Sequence, residues 1–233
     1  NGLVEYTGSE NFSAVVQFGS SSQTYQWEGF YTAAPSTKSR KITVDGGYIK
    51  GGANYRMNRN SNIFFNVGQI MRPPSFDGVF PNADYDFEEA DDITNESFTS
   101  FELGYGYISS NFKANINAYH TVWGDRTLRR STSIDDQGVR IIYDGVEQTH
   151  QGIEAEMTWY PSNRLRIRGM ASIGDWKYSK NFDGDAYFID NNQPAGTTGT
   201  LYLDGVKIGD AAQSVLYIGA DYKLSSKLSM DLD

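Results

Sequence analysis

The feature that most constrains this chain is the alternation of tight turns and long connections between its extended segments. Segments with period-two apolar and polar alternation predict nine β-strands, near residues 12–27, 47–57, 62–71, 98–107, 112–123, 150–160, 164–178, 213–223 and 227–233. Tight turns rich in Asn and Ser lie at 58–61, 108–111, 160–164 and 223–227, and long links lie near 28–46, 72–97, 124–149 and 179–212. In an up-and-down meander, this order predicts every tight turn at one end of the sheet and every long link at the other.

Strand length and loop sorting together indicate a membrane barrel. Most predicted strands reach the roughly 9–11 residues that a tilted transmembrane strand needs, whereas strands of soluble domains average about 5–6. Short periplasmic turns and long extracellular loops are typical of outer-membrane barrels. The predicted fold is therefore all-β, an antiparallel up-and-down meander of about nine long strands that forms part of a large transmembrane β-barrel. A soluble β-sandwich stays open as the alternative, because alternation alone does not say which face meets water.

The segment SFELGYGYISSNFKANINAYHTVW (100–123) sets out the two faces of the predicted sheet. Leu103 and Tyr105 are predicted to face lipid, and Gly104 and Gly106 to face the interior, with space above them for something packed inside the wall. Charged side chains are almost never fully buried unless paired, so the interior is expected to be wet. The lumen-facing residues singled out are Glu102, Glu154, Glu156, Arg166 and Arg168.

The hairpin after residue 150 carries a prediction about register. A three-residue turn at 161–163 pairs Tyr160 with Arg164 and places Glu156 directly opposite Arg168. The two side chains are then expected to form a weak ion pair on the inner wall. A second hairpin is predicted within TLYLDGVKI (200–208), where Asp-Gly favours a type I′ turn.

Composition excludes several classes of function. The formal net charge of −9 argues against a nucleic-acid binder, and the absence of cysteine excludes disulfides and thiolate metal sites. The sequence contains no nucleophile elbow, P-loop or dinucleotide fingerprint, so we expect no catalytic residues, no cofactor and no metal site. The acidic link 72–97 could capture calcium, but without EF-hand spacing a solvated loop is the favoured interpretation.

Aromatic residues in the long links are the candidates for ligand contact. They could stack on a ligand at the outer mouth, or they could pack the loops against each other. The candidates are Phe76, Phe80, Tyr85, Tyr143 and Tyr187.

The stretch YIKGGANYRMNRNSNIFFNVGQIMRPPSFDGVF (48–80) resembles the barrel of TonB-dependent outer-membrane receptors, especially those of Bacteroidota. In that family a Lys-Gly-Gly-Ala-Asn-Tyr strand turns into an Asn-x-Phe-x-Asn-x-Gly strand. The resemblance continues through 101–127, 150–178 and 205–233. Such receptors close about 22 strands around a plug, so residues 1–233 are expected to form one partial barrel domain, with the plug and further strands lying outside this sequence.

The resemblance also implies a function. It implies a receptor in the outer membrane of a Gram-negative bacterium that imports a scarce, bulky nutrient, by default a ferric siderophore. The implied partners are TonB acting through the plug, outer-membrane lipid, the imported ligand and, as a further candidate, a surface lipoprotein. Two rival functions stay open: a surface-exposed β-sandwich that binds or adheres without transport, and a barrel enzyme.

Overall fold

A computed structural model of the protein describes residues 1–29, 38–81, 89–90, 92–190, 193–209 and 211–233. The strands are β1 (Gly2–Ser9), β2 (Phe12–Tyr25), β3 (Ile42–Arg56), β4 (Ser61–Arg72), β5 (Glu96–Ile108), β6 (Phe112–Ile134), β7 (Gln137–Ser162), β8 (Leu165–Tyr178), β9 (Phe182–Phe188), β10 (Pro194–Leu201), β11 (Ser214–Lys223) and β12 (Ser229–Leu232). A short helix, α1 (Phe76–Val79), lies between β4 and β5. Within the described ranges, no helix has the length and apolar character needed to cross a membrane.

The strands form one antiparallel sheet. Its order is β1-β2-β3-β4-β5-β6-β7-β8-β11-β12, and β9 and β10 attach beside the far part of β7. The predicted all-β meander is confirmed, but β1, β9 and β10 are strands that the sequence did not predict. A β-sandwich would bury its apolar face between two packed sheets, so the single sheet contradicts that alternative.

The strand register divides the side chains into two faces. Leu103 and Tyr105 lie on one face, which we call the outer face; Tyr105 pairs directly with Ile116, and Trp159 with Ile167. Its apolar side chains are unusually open, with Leu103 exposed to 56%. An exposed apolar surface of this extent is typical of the lipid-facing side of a membrane barrel. The opposite face, which we call the inner face, carries Glu102 and the polar residues of the same strands.

Three polar residues on the outer face mark where its apolar surface ends. On that face His120 pairs with Gln151, with His120 Nδ1 lying 3.2 Å from Gln151 Oε1. Gln151 also donates to the carboxylate of Asp175 on β8. Three adjacent polar residues therefore end the apolar surface, and residues above this level lie outside the membrane-spanning segments.

The connections follow the predicted sorting with one exception. The turns after β1, β3, β5, β7 and β11 all lie at one end of the sheet, the tight-turn end. However, the predicted link 124–149 is mostly strand, because β6 and β7 continue as a ladder and close at Asp135 and Asp136. Both residues have positive φ, 48° and 63°, the condition that a type I′ turn sets. A tight turn therefore also exists at the opposite, long-connection end, so the prediction of complete sorting is wrong there.

The predicted hairpin at 200–208 is also different. Only Gly205 has positive φ (71°), whereas a type I′ turn needs it at both central residues. Residues after this turn pair with the end of β8, and the Ile208 N–H donates to the Trp176 carbonyl at 3.0 Å. The turn closes through the Val206 N–H, which donates to the Leu203 carbonyl at 2.8 Å, and the residues after it link β10 back to β8.

The hydrophobic cores lie at the long-connection end. One consists of residues from the far part of β7 and from β9: Val139, Ile141, Tyr143, Val146, Phe182 and Ala186. The other joins β2, β3 and α1: Tyr25, Trp27, Ile42, Val79 and Phe80. The long-connection end therefore builds its own packing, whereas the outer face nearer the tight turns stays exposed.

The observed pairing of β7 with β8 differs from the predicted register. Glu156 pairs with Met170, and Arg168 pairs with Thr158, so Glu156 and Arg168 share the inner face but are not directly opposite. The register shifts by one residue between Trp159 and Ser162. This bulge and the short turn that follows it between Ser162 and Leu165 keep the two faces consistent, whereas the prediction used a three-residue turn without a bulge.

Candidate ligand groove on the inner face

A groove of about 450 Å³ crosses the inner face of β5 to β8. Its lining combines rings, two carboxylates and small polar groups: Phe98, Ser100, Glu102, Asn117, Tyr119, Thr121, Trp123, His150, Glu154 and Trp176. A neighbouring pocket of about 350 Å³ shares Phe98, Ser100 and Glu102 and continues toward Lys50. All of these groove residues project from one face because they occupy matching positions in the register.

Two aromatic side chains bridge the groove. The Trp176 indole N–H donates to the Tyr119 hydroxyl at 2.8 Å, although the two residues lie on β8 and β6 with β7 between them. Gly152 of β7 pairs with Tyr119 on one side and with Gly174 on the other. A Cβ at Gly152 would lie 2.8 Å from the Tyr119 hydroxyl and 2.6 Å from the Ile173 carbonyl oxygen. The missing side chain is therefore what lets the bridge form.

The upper rim of the groove is basic. The rings of Phe98 and Trp123 stack with centroids 4.9 Å apart, and the Arg126 guanidinium lies 3.7 Å from the Trp123 ring centroid. Glu96, only 6% exposed, accepts from Trp123 Nε1 at 2.9 Å and pairs with Arg72 at 2.5 Å. This buried carboxylate holds the stack and Arg72 in place.

Arg126 reaches the rim through a bulge. Asp125 has a positive φ of 58°, and the register between β6 and β7 shifts between Trp123 and Arg126. Of the carboxylates that the structure describes, none forms an ion pair with Arg126. The ring of His150 lies 5.5 Å from that of Trp176, and burial together with the positive charge of Arg126 holds the pKa of His150 below its usual value. His150 therefore contributes a neutral ring.

The lower part of the groove is acidic. Glu102 accepts hydrogen bonds from the side-chain amides of Asn66, at 2.9 Å, and Asn117, at 3.0 Å. Among the described side chains, no Lys or Arg pairs with Glu102 or with Glu154. Neutral donors fix the Glu102 carboxylate and leave its charge uncompensated.

The tight-turn end of the inner face is different, because its charges are paired. Arg166 donates two hydrogen bonds to Asp221, both at 2.8 Å. Arg168 contacts Asp221, Asp231 and Asp233 at 3.2, 3.1 and 3.0 Å. Arg168 therefore pairs toward β11 and β12, and Glu156 is not its partner.

The structure places the residues predicted from sequence as follows. Glu102, Glu154, Glu156, Arg166 and Arg168 share the inner face, but only the first two line the groove. The ring of Phe64 covers Gly104, and Asn62 covers Gly106, so the expected open space above these glycines is absent.

The loop aromatics have separate positions. Phe80 (0% exposed) and Tyr143 (3% exposed) are buried in the two cores and pack loops. Phe76 is 40% exposed, with its ring 5.1 Å from that of Phe80. Tyr187 lies on β9 opposite Arg140. Tyr85 lies outside the described residues, as do four of the eight acidic residues in 72–97.

Sequence reasoning missed Trp123, Trp176 and Arg126. One signal could have found the two tryptophans: they occupy inner positions of strands whose other inner positions are mostly polar. The position of Arg126 could not be found this way, because the bulge at Asp125 reverses which residues of β6 point to the inner face. No group of three or more His, Asp or Glu side chains suited to a metal ion occurs in the ranges that the structure covers.

Comparisons with known proteins agree with this architecture. Residues 9–230 match the family model of the TonB dependent receptor-like β-barrel. Comparison with curated proteins gives no match. Among solved structures, the copper transporter OprC is similar, with a TM-score of 0.58 and 13% identity over 96% of this chain. That identity supports a shared fold alone, and this chain spans 39% of the OprC chain.

Proposed function

Because the chain belongs to the family of TonB-dependent receptor-like β-barrels of the Gram-negative outer membrane, we propose that it forms part of the wall of a transporter for a scarce, bulky nutrient. On the family resemblance alone, the default cargo is a ferric siderophore. The proposed partners are TonB, acting through a plug, together with outer-membrane lipid, the cargo and a surface lipoprotein.

One observation carries the proposal: the same strands present an exposed apolar face and an inner face with a built groove. The outer face suits lipid contact. The groove lies beside the long-connection end, where ligands enter a barrel of this kind, and its rings and carboxylates offer contacts to a solute. A wall with these two faces serves passage of a solute better than adhesion, which needs no shaped interior.

In this proposal the wall residues bind the cargo, and no covalent bond is made or broken. Rings and carboxylates of the groove hold the cargo on one side while the extracellular links lie above it. Movement of the plug by TonB then opens the path past the inner face. In this scheme the paired charges of Arg166, Arg168 and Asp221 fix the wall near the periplasm.

The experiment is a growth comparison in the native host. A strain lacking the gene and a strain lacking TonB are each grown on single limiting sources of iron and of other nutrients. We expect at least one source on which both strains fail and the full-length gene restores growth of the first. Normal growth of the deletion strain on every source that requires TonB would contradict the proposal.

A further inference from the structure

The groove has opposite charges at its two ends. Arg126 and Arg72 lie at the level of Phe98, and the acidic end begins at Glu102. These levels are four residues apart along β5, which at a rise of 3.3 Å per residue corresponds to about 13 Å. The groove is therefore matched to a solute with an anionic and a cationic group separated by about that distance.

The basic end can accept a carboxylate. Arg126 stacks its guanidinium on Trp123 at 3.7 Å, and stacking of this kind leaves the N–H groups at the edge of the guanidinium available. Arg72 shares the rim but is already paired with Glu96. A solute carboxylate beside Arg126 would form the charge-assisted hydrogen bonds that guanidinium groups prefer.

The acidic end can accept an ammonium group. Glu102 is held by two amide donors that do not neutralise it. Glu154 lies on β7 and pairs with Asn117 in the register, so both carboxylates border the same amide. Between the two ends, Ser100 and Thr121 share a hydrogen bond of 2.8 Å, and Tyr119 and Trp176 form the aromatic wall.

We propose that the groove binds a short peptide with free termini, about four residues long, with its terminal carboxylate at Arg126 and its terminal ammonium at Glu102 and Glu154. An extended chain spans at most about 3.3–3.6 Å per residue, so four residues cover the distance between the charged ends. This inference rests on the proposed transport function and names the cargo class, in place of the default siderophore.

The test measures peptide binding to the purified full-length receptor in detergent, by calorimetry and by the fluorescence of Trp123 and Trp176. The probes are tetra-alanine, its N-acetyl form, its C-terminal amide and dialanine. We expect tetra-alanine to bind at least tenfold more tightly than each of the other three, since each loses a charged hydrogen bond or the required length. Equal binding of the four probes, or no binding of tetra-alanine, would overturn the proposal.

Single-residue variants test which end of the groove binds which terminus of the peptide. Glu102→Gln keeps the side-chain shape and an acceptor for one of the two amide donors but removes the charge. It should weaken tetra-alanine about tenfold while leaving the N-acetyl form unchanged. Arg126→Gln should weaken tetra-alanine in the same way and leave the C-terminal amide unchanged. Glu156→Gln is the matched control, because Glu156 is an inner-face carboxylate of β7 outside the groove, and it should not change binding. Equal losses in all three variants would contradict the assignment.

Two further measurements separate this inference from the proposed function. Maltotetraose tests a neutral carbohydrate of comparable length, and its binding in place of tetra-alanine would overturn the peptide assignment. TonB-dependent growth is scored independently in the host strain. Growth that still requires the receptor, with no peptide binding, would refute the cargo class and leave transport standing; loss of that requirement would refute transport itself.

Discussion

Trp176 donates its indole N–H to the hydroxyl of Tyr119 at 2.8 Å, across an intervening strand and directly above Gly152. The contact ties β6 to β8 without using a backbone hydrogen bond. It also fixes the aromatic wall of the groove, since both rings lose freedom to rotate. The position of a glycine on β7 thus decides the shape of a surface built by its neighbours.

Replacement of this glycine should break the bridge. Gly152→Ala places a methyl group 2.8 Å from the Tyr119 hydroxyl and 2.6 Å from a backbone oxygen, so the neighbours must shift. We expect a loss of about 1–3 kcal/mol in the free energy of unfolding and a change in Trp176 fluorescence. Gly51→Ala is the control, because the added Cβ would lie 3.6 Å from its nearest neighbour, the Val15 carbonyl oxygen, which is an ordinary van der Waals contact. Equal effects of the two substitutions would contradict this role.

The outer face should reject charge where the inner face accepts it. Ile116 lies on the outer face, and Asn117 follows it on the inner face of the same strand. Ile116→Lys should destabilise the barrel by about 2–4 kcal/mol if it lies near the bilayer midplane, whereas Asn117→Lys meets water. Heat-modifiable migration of the full-length receptor on gels reports the folded fraction. A stable Ile116→Lys barrel would argue against lipid contact at this face.

Double-mutant cycles can test the register of β8. Arg166 and Asp221 are direct cross-strand partners, and we expect a coupling of about 1 kcal/mol or less because lumen water screens the pair. The cycle between Glu156 and Arg168 should give no coupling, since these residues are not direct partners. Unfolding in urea measures both. A larger coupling between Glu156 and Arg168 than between Arg166 and Asp221 would contradict the register.

Low pH should loosen one contact between extracellular links. Arg40 donates from Nε to Glu89 at 2.5 Å, and this hydrogen bond holds the pKa of Glu89 below its usual value. A depressed carboxylate pKa stabilises the folded state above the unfolded value of about 4.3, and that stabilisation disappears as pH falls through the folded pKa. The reporter is hydrogen-exchange protection of the Ala90 amide, which donates to the Val79 carbonyl. Glu89→Gln should remove the pH dependence, and an unchanged profile in this variant would contradict the assignment.

The turn at the tip of β6 and β7 should select residues that tolerate positive φ. Asp136 has φ 63°, which a β-branched side chain adopts only with strain. Asp136→Ile should destabilise the tip by about 1–2 kcal/mol, and Asp136→Gly should not. Protease treatment of intact cells measures opening of the hairpin. Identical cleavage of the two variants would show that the turn is not strained.

Period-two alternation was enough to predict the faces of β5, because one face is apolar and exposed and the other carries Glu102 and small residues. It failed at Ile141 and Ile142, which are adjacent in sequence and equally buried, each 9% exposed. At this point β9 pairs with β7, and residues 139–143 are all buried, so side chains on both faces are covered and the alternation disappears. Without alternation, this stretch was predicted as part of a long link, whereas the structure has a strand there.

The candidate groove was only half predictable. The inner-face positions of Glu102 and Glu154 followed from the alternation of side chains along regular strands. Arg126 did not, because the bulge at Asp125 changes which face the later residues of β6 present. The predicted pairing of Glu156 was also wrong because of a bulge. A one-residue bulge near Ser162 shifts the pairing of β7 with β8 but leaves each side chain on its predicted face. Bulges leave little trace in hydrophobic periodicity.

The core formed by the tip of β7 and β9 has a consequence for exchanging parts between related receptors. Val139 and Val146, both fully buried, come from one connection, whereas Phe182 and Ala186 come from another. A chimera that replaces only one of these connections would leave half of a packed interface facing water. The two segments should therefore be inherited, and grafted, as a single module, while the turns at the opposite end can be exchanged one at a time.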